Sequence, residues 1–65
     1  MANIADNVRK ARKKAGLSQD KLAREADVAY NTIVKIESGE NPNPTIDTLK
    51  KIAGALGVDV GDLIK

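Results

Sequence analysis

Residues 16–39 read GLSQDKLAREADVAYNTIVKIESG, and this stretch decides the fold. Ser18 is a favourable N-cap, and the residues after it are compatible with a helix as far as Ala26. A second short helix begins near Val28 and ends at Gly39, a residue type that commonly terminates helices. Because only DVA separates the two helices, the pattern predicts a tight turn between short helices that cross steeply.

The second of these helices has two chemically different faces. Wound at about 100° per residue, Ala29, Ile33 and Ile36 fall together, as a buried stripe should. The opposite side carries polar and apolar side chains together: Tyr30, Asn31, Val34, Lys35 and Ser38. A helix held by its apolar back could present this mixed front to a binding partner.

The outward side chains suit the base edges in a DNA major groove, which is about 12 Å wide and accepts one helix. Asn31 can pair with adenine, and Lys35 can donate to guanine or to a phosphate. Val34 can contact a thymine methyl, and Tyr30 can offer its hydroxyl or its ring. The residues alone leave another interpretation open, in which Tyr30 packs on the preceding helix, Asn31 satisfies a free N–H and Val34 is an ordinary exposed valine.

The segment before this stretch predicts a helix from about Asn3 to Ala15, ended by Gly16. Its apolar residues recur at helical spacing: Ile4, Val8, Ala11 and Ala15. Five cations crowd the same segment: Arg9, Lys10, Arg12, Lys13 and Lys14. Such a run suits the C-terminal end of a helix dipole, and a surface for phosphates or anionic lipids is the alternative.

The segment after the third helix opens with the loop ENPNP, whose two prolines disfavour a helix. Thr45 can cap a fourth helix that carries Asp47 in its first turn and stops at Gly57. Its apolar stripe would be formed by Ile46, Leu49, Ile52, Ala53 and Leu56. Asp59 can then cap a last short helix that carries Val60, Leu63 and Ile64.

The composition limits the classes of function. Sixty-five residues allow one domain, and with one Tyr and no Phe or Trp its core must be aliphatic. The absence of Cys and His removes thiolate sites, the commonest metal ligand and the usual neutral-pH base, so we expect no enzyme, metal or cofactor. No apolar run suits a signal peptide or a membrane span, so we expect the cytoplasm or a nucleoid-like compartment and no membrane partner.

The stretch GLSQDKLAREADVAYNTIVKIESGENP (16–42) resembles the helix-turn-helix core of the Xre/Cro-like family, the class of phage repressors and many small regulators. VRKARKKAGLSQ (8–19) is similar to the family's opening, and NPTIDTLKKIAGALGVDVGDLI (43–64) is similar to its closing two helices. The resemblance covers essentially the whole chain. It implies an all-α, compact five-helix, lambda-repressor-like DNA-binding domain over residues 1–65, in which helices 2 and 3 form the helix-turn-helix.

The resemblance also implies two sets of DNA contacts. Bases would be read by Tyr30, Asn31, Val34 and Lys35. Backbone phosphates would be contacted by Gln19, Thr32, Ser38, Asn41 and Asn43. Gln19 would in addition steady Tyr30 at the start of the third helix. Phosphate contacts position such a protein, whereas base contacts choose the sequence.

Arg12 belongs to the basic run, yet the Arg/Glu pairing familiar in the family favours an internal ion pair with Glu37, which borders the buried stripe. Three residues depart from the family pattern. Asp27 stands where glycine is common, Ala29 where Ser or Thr often caps the third helix, and Glu40 where a cation is frequent. Gly54 lies inside the fourth helix at a cost of about 1 kcal/mol relative to Ala, and close packing is the one reason we can offer for it.

The predicted function is sequence-specific binding of double-stranded DNA by a transcriptional regulator of the repressor class. Phage-type relatives bind as pairs about one helical turn, roughly 34 Å, apart, so a homodimer is expected at least on DNA. Val60, Leu63 and Ile64 either form an exposed dimer interface or close the core. Two alternatives stay open: a protein-interaction module on the same fold, such as an antitoxin or coactivator, and the DNA-binding end of a longer regulator.

Overall fold

The computed structural model describes residues 3–65, which form five α-helices and, within that range, no strand. In chain order they are α1 (Ile4–Lys14), α2 (Gln19–Ala26), α3 (Tyr30–Ser38), α4 (Ile46–Leu56) and α5 (Val60–Ile64). The prediction of an all-α fold of five helices is confirmed for this part of the chain.

The predicted caps of α2 and α4 are confirmed, and α1 has a cap that was not predicted. The side chains of Asn3, Ser18 and Thr45 each accept a hydrogen bond from a backbone N–H in the first turn of α1, α2 and α4. Ala29 is the N-cap residue of α3 and has no side chain that can do the same. α3 therefore begins without the side-chain cap that stabilises α1, α2 and α4.

The turn between α2 and α3 reverses at Asp27, whose backbone is left-handed with φ of 58°. Among residues 3–65 it is the non-glycine residue with positive φ, as expected for a position where glycine is common. Asp is one of the residue types that tolerate this conformation. The turn thus keeps its shape at a modest conformational cost.

The core is aliphatic, as predicted. Its buried side chains come from all five helices: Val8, Leu22, Ala23, Ala26, Ile33, Ile36, Leu49, Ile52, Ala53 and Leu63. α3 packs on both α1 and α2, and α4 packs on α2 and α5. α3 is consequently fixed from two sides by the helices that precede it.

Three residues assigned to buried stripes are exposed instead. Ala29 is exposed because its backbone is extended, so it precedes α3 and does not follow the helical periodicity used to place it. Ile46 is 57% exposed. It is the first residue of α4 and lies about 70° from the centre of the buried stripe, at the edge of the packing. Ala15, which follows α1, is exposed as well.

Gly54 does not pack closely, which corrects the reason offered for it. A Cβ atom built on Gly54 would meet no heavy atom within 4 Å. We therefore expect Gly54→Ala to raise the free energy of unfolding by about 1 kcal/mol, measured by urea denaturation. Gly57→Ala is the control, because Gly57 ends α4 with φ of 72° and an alanine there should destabilise the protein. A Gly54→Ala protein no more stable than the wild type would contradict this prediction.

Candidate nucleic-acid interface

The side of α3 that faces away from the core carries the residues predicted to read bases. Ile33 and Ile36 are 0% exposed and hold the helix from behind. Tyr30 is 49% exposed, and Asn31 and Lys35 are also exposed. The structure thus brings these three side chains to one free surface.

Two further residues of α3 that were predicted to contact DNA are half-buried instead of exposed. Val34 is not the fully exposed valine assumed from the sequence, so only part of its side chain is free for an apolar contact. Thr32 is likewise half-buried, and its backbone N–H donates to the carbonyl oxygen of Ala29 at 3.0 Å. Both residues lie in the first two turns of α3, close to the positions predicted to read bases.

The loop after α3 is ordered by its own polar groups. The Ser38 hydroxyl donates to the Lys35 carbonyl at 3.1 Å and accepts from the Glu40 N–H at 3.3 Å. The Asn41 N–H donates to the same carbonyl at 3.0 Å, and Asn41 Oδ1 accepts from the Asn43 N–H at 3.3 Å. Three predicted phosphate contacts therefore belong to one small hydrogen-bonded loop at the end of α3.

A buried carboxylate joins the first three helices. Glu37 Oε2 accepts from Arg12 Nε at 2.7 Å, and Glu37 Oε1 accepts from Arg12 Nη2 at 3.0 Å. The side chains of Arg12 and Glu37 are only 12% and 4% exposed. Arg12 Nη1 also donates to the Leu17 carbonyl, just before α2, at 2.8 Å. The structure brings the two predicted ion-pair partners together in a bidentate contact.

The charge state of Arg12 follows from these contacts. The hydrogen bond to Glu37 raises the pKa of Arg12 above its usual value, burial opposes this, and the negative charge of Glu37 adds to the increase. A guanidinium already remains protonated at any pH at which proteins fold. Arg12 is therefore a permanent cation against the buried carboxylate of α3.

Gln19 has a partner that the sequence did not predict. We expected its side chain to steady Tyr30, but Gln19 Nε2 donates to Glu37 Oε1 at 3.2 Å. An ionised carboxylate is the stronger acceptor, and the contact depends on how α2 crosses α3, which local pattern does not encode. The first residue of α2 is thus tied to the same carboxylate that holds α1.

The predicted patch at the C-terminus needs correction. Leu63 is 0% exposed and belongs to the core, so it offers no surface to a second molecule. Val60 is half-buried, while Ile64 is 42% exposed. Asn7 fastens this end to α1, since its Nδ2 donates to the Leu63 carbonyl at 2.9 Å and to the Lys65 carbonyl at 2.8 Å. What remains at the surface is Ile64, beside a groove of about 400 Å³.

Residues 3–65 contain neither a cluster of metal ligands nor a membrane-spanning helix. Between residues 3 and 65 no group of three or more acidic side chains is placed to hold a metal ion. Over the same range, no helix has the length and apolar character needed to cross a bilayer.

Comparison with known proteins identifies a family that covers most of the chain. A family model described as helix-turn-helix matches residues 8–63. The HTH-type transcriptional regulator SlrR of Bacillus subtilis is 38% identical over 56 residues, which cover 86% of this chain and 37% of SlrR. SinR, another HTH-type transcriptional regulator of Bacillus subtilis, is 34% identical over 94% of this chain and 55% of SinR.

The control protein C.BamHI of Bacillus amyloliquefaciens is 43% identical over 78% of this chain and 62% of its own length. The chain thus spans between 37% and 62% of the length of these three relatives. Their names describe whole proteins that are longer than the segment they share with this chain.

Solved structures show the same five-helix unit in a different setting. Hydroxypropylphosphonic acid epoxidase from S. wedmorenis superposes with a TM-score of 0.85 at 25% identity, over 97% of this chain and 33% of the epoxidase. The similarity is therefore to one third of a larger enzyme. The helix-turn-helix family model, in contrast, matches most of this chain. The 56 matched residues run from Val8 in α1 to Leu63 in α5. The chain belongs to the helix-turn-helix family, in its Xre/Cro-like branch.

Proposed function

We propose that this chain binds double-stranded DNA sequence-specifically through α3 and that the protein is a transcriptional regulator. One observation carries the proposal. α3 is anchored by Ile33, Ile36 and Glu37, which are all buried, while its opposite side exposes Tyr30, Asn31 and Lys35. A short helix held only by its back leaves its front free to enter a groove that is about 12 Å wide.

The exposed side chains have the chemistry of base recognition. Asn31 can form two hydrogen bonds with adenine, and Lys35 can donate to the acceptors of guanine. Lys35 makes no ion pair with any residue between 3 and 65, so its charge is available to DNA. The free part of Val34 and the ring of Tyr30 supply apolar surface for a thymine methyl.

The relatives support a role in gene regulation. SlrR and SinR are named as transcriptional regulators, and an immunity repressor protein of Bacillus phage phi105 is 31% identical over 94% of this chain. We infer the repressor class from these names. Because these relatives are bacterial and phage proteins, we expect a cytoplasmic location.

A homodimer on DNA completes the proposal. One α3 reaches only a few base pairs, and a second copy about 34 Å away would double the sequence that is read. Ile64, 42% exposed, lies in a groove with Ile4 and Pro42 and is the residue of the predicted patch whose side chain remains accessible to a second copy. Leu63 takes no part, since it is buried within the chain.

Selection from a random duplex library tests sequence-specific binding. The protein is mixed with the library at low salt, and bound duplexes are amplified through several rounds. We expect an enriched motif with two related half-sites about 10 base pairs apart, and a complex whose mass corresponds to two protein chains. A bound pool that remains random would exclude sequence-specific reading, and a one-chain complex would exclude the dimer.

Asn31→Ala should change sequence preference more than it changes general affinity. The variant loses the amide that distinguishes adenine, so discrimination at that base should fall by about 1–3 kcal/mol. Asn43→Ala is the control, because Asn43 lies in the loop after α3 and is proposed to contact phosphate. Repeating the selection with both variants measures the effect. An unchanged motif for Asn31→Ala would show that Asn31 reads no base.

A further inference from the structure

The basic run of α1 has two different neighbourhoods in the folded protein. Arg9 forms an ion pair with Asp6, and Arg12 forms one with Glu37. Lys10, Lys13 and Lys14 are exposed, and between residues 3 and 65 none of them forms an ion pair; Lys13 and Lys14 lie in the last turn of the helix. The free positive charge at the end of α1 therefore belongs to lysines that are adjacent in sequence.

These two lysines lie on opposite flanks of α1. From the buried Val8, about 100° per residue puts Lys13 roughly 140° round in one direction and Lys14 roughly 120° round in the other. Arg12 lies between Val8 and Lys13, on the flank that contacts α3 through Glu37. Lys14 lies on the other flank, where it borders a groove with Leu56 and Val58 at the end of α4.

Helical geometry places the flank of Lys13 beside the proposed base-reading side of α3. On α3, Glu37 stands between the buried Ile36 and the outward side that carries Tyr30 and Val34. The Arg12–Glu37 contact is thus a seam between α1 and α3. On the outward side of this contact, helical geometry places Lys13 on α1 and Tyr30 and Val34 on α3.

The start of α2 lies at the same seam. The Leu17 N–H donates to the Arg12 carbonyl at 3.1 Å, and Arg12 Nη1 returns a hydrogen bond to the Leu17 carbonyl at 2.8 Å. Gln19 then reaches Glu37 from the first turn of α2. The end of α1 is therefore held against the α2 residue that is proposed to contact a phosphate.

We propose that Lys13 binds a DNA backbone phosphate beside Gln19 and that Lys14 does not. This inference rests on the proposed function and assigns one part of the basic run to DNA. Lys13 stands on the surface that faces the duplex when α3 enters the groove, and its ammonium is a compact point charge suited to a phosphate. Lys14 faces the end of α4, about 100° further round α1.

The test compares Lys13→Ala with Lys14→Ala on a mixed-sequence duplex about three helical turns long. The pair is matched, since each variant removes one exposed lysine from the last turn of α1 and loses the same favourable interaction with the helix dipole. Fluorescence anisotropy gives the affinity from about 50 to 200 mM salt. Circular dichroism melting shows whether the two variants are equally folded.

For Lys13→Ala we expect the slope of log affinity against log salt to fall by about 0.9 for each lost contact. Extrapolated from 1 M salt, that slope corresponds to an affinity about eightfold lower at 0.1 M. Lys14→Ala should keep the wild-type slope, because screening over about 10 Å removes most of its influence at a distance. The loss should be the same on a selected motif, since a phosphate contact carries no sequence information.

Other outcomes separate the two proposals. If the wild type binds no duplex, the proposed function fails and this inference fails with it. If the wild type binds but both lysine variants lose affinity equally, or neither does, then DNA binding stands and the assignment to Lys13 is wrong. Lys13→Glu gives a second readout: charge reversal there should weaken binding further than Lys14→Glu does.

Discussion

Glu37→Ala is expected to lower the free energy of unfolding by about 3–5 kcal/mol, the largest effect of any single substitution considered for this protein. The variant removes the acceptor for two hydrogen bonds of Arg12 and one of Gln19. Arg12 cannot escape by losing its proton, so a guanidinium whose side chain is only 12% exposed is left without its counter-charge. The loss is therefore greater than the net contribution of the ion pair itself.

The size of this loss matters because the protein is small. A 65-residue domain has a total stability of about 3–10 kcal/mol on the usual per-residue scale. The loss expected for Glu37→Ala is thus a large part of the total stability of the protein. Equilibrium urea denaturation, followed by circular dichroism in a stabilising osmolyte, keeps the transition measurable for wild type and variant alike.

Two comparisons separate a buried charge from an ordinary ion pair. Asp20→Ala breaks the pair between Asp20 and Arg24, whose side chains are 58% and 80% exposed, and should cost at most about 1 kcal/mol. The double variant Arg12→Met/Glu37→Met removes both buried charges and should be more stable than Glu37→Ala alone. If Glu37→Ala and Asp20→Ala cost the same, the carboxylate of Glu37 does not carry the role assigned to it.

The parts of the fold that the sequence predicts are those with local causes. Ser18 and Thr45 accept hydrogen bonds from N–H groups only three residues away, so a short window contains the whole signal. Gly39 and Gly57 end helices through their own backbone freedom. The two faces of α3 follow from helical periodicity over nine residues, which is long enough for the buried and free sides to be distinguished.

The errors arise where that periodicity fails or where the cause is distant. Ile46 is the first residue of α4, where the apolar stripe of the helix extends beyond the core that it packs against. α5 has five residues, too few for the pattern to show that Leu63 faces inward and Ile64 outward. The contact of Gln19 with Glu37 joins residues 18 positions apart and exists only because α2 and α3 cross at one angle. The partner of Glu37 in α1 was expected through family resemblance, not through local pattern.

Ile33→Ala is the second large effect, with an expected loss of about 2–5 kcal/mol in the free energy of unfolding. Ile33 is 0% exposed at the centre of the α3 face that packs on the core. Its truncation removes buried apolar surface and leaves a cavity that the surrounding aliphatic side chains fill only in part. Urea denaturation measures the loss, and Ile33→Val should cost about 0.5–1.5 kcal/mol because one methylene is deleted.

Ile46→Ala is the matched control, since it makes the same chemical change at a side chain that is 57% exposed. Surface substitutions of this kind usually change the free energy of unfolding by no more than about 0.5 kcal/mol, so similar losses for the two variants would refute the packing described here.

DNA binding by the same variants distinguishes the two faces of α3. Ile33 does not reach the free surface, so the folded fraction of Ile33→Ala should select the wild-type motif, whereas Asn31→Ala should stay folded and lose discrimination. A changed motif for folded Ile33→Ala would mean that the core side of α3 also sets the position of its reading side.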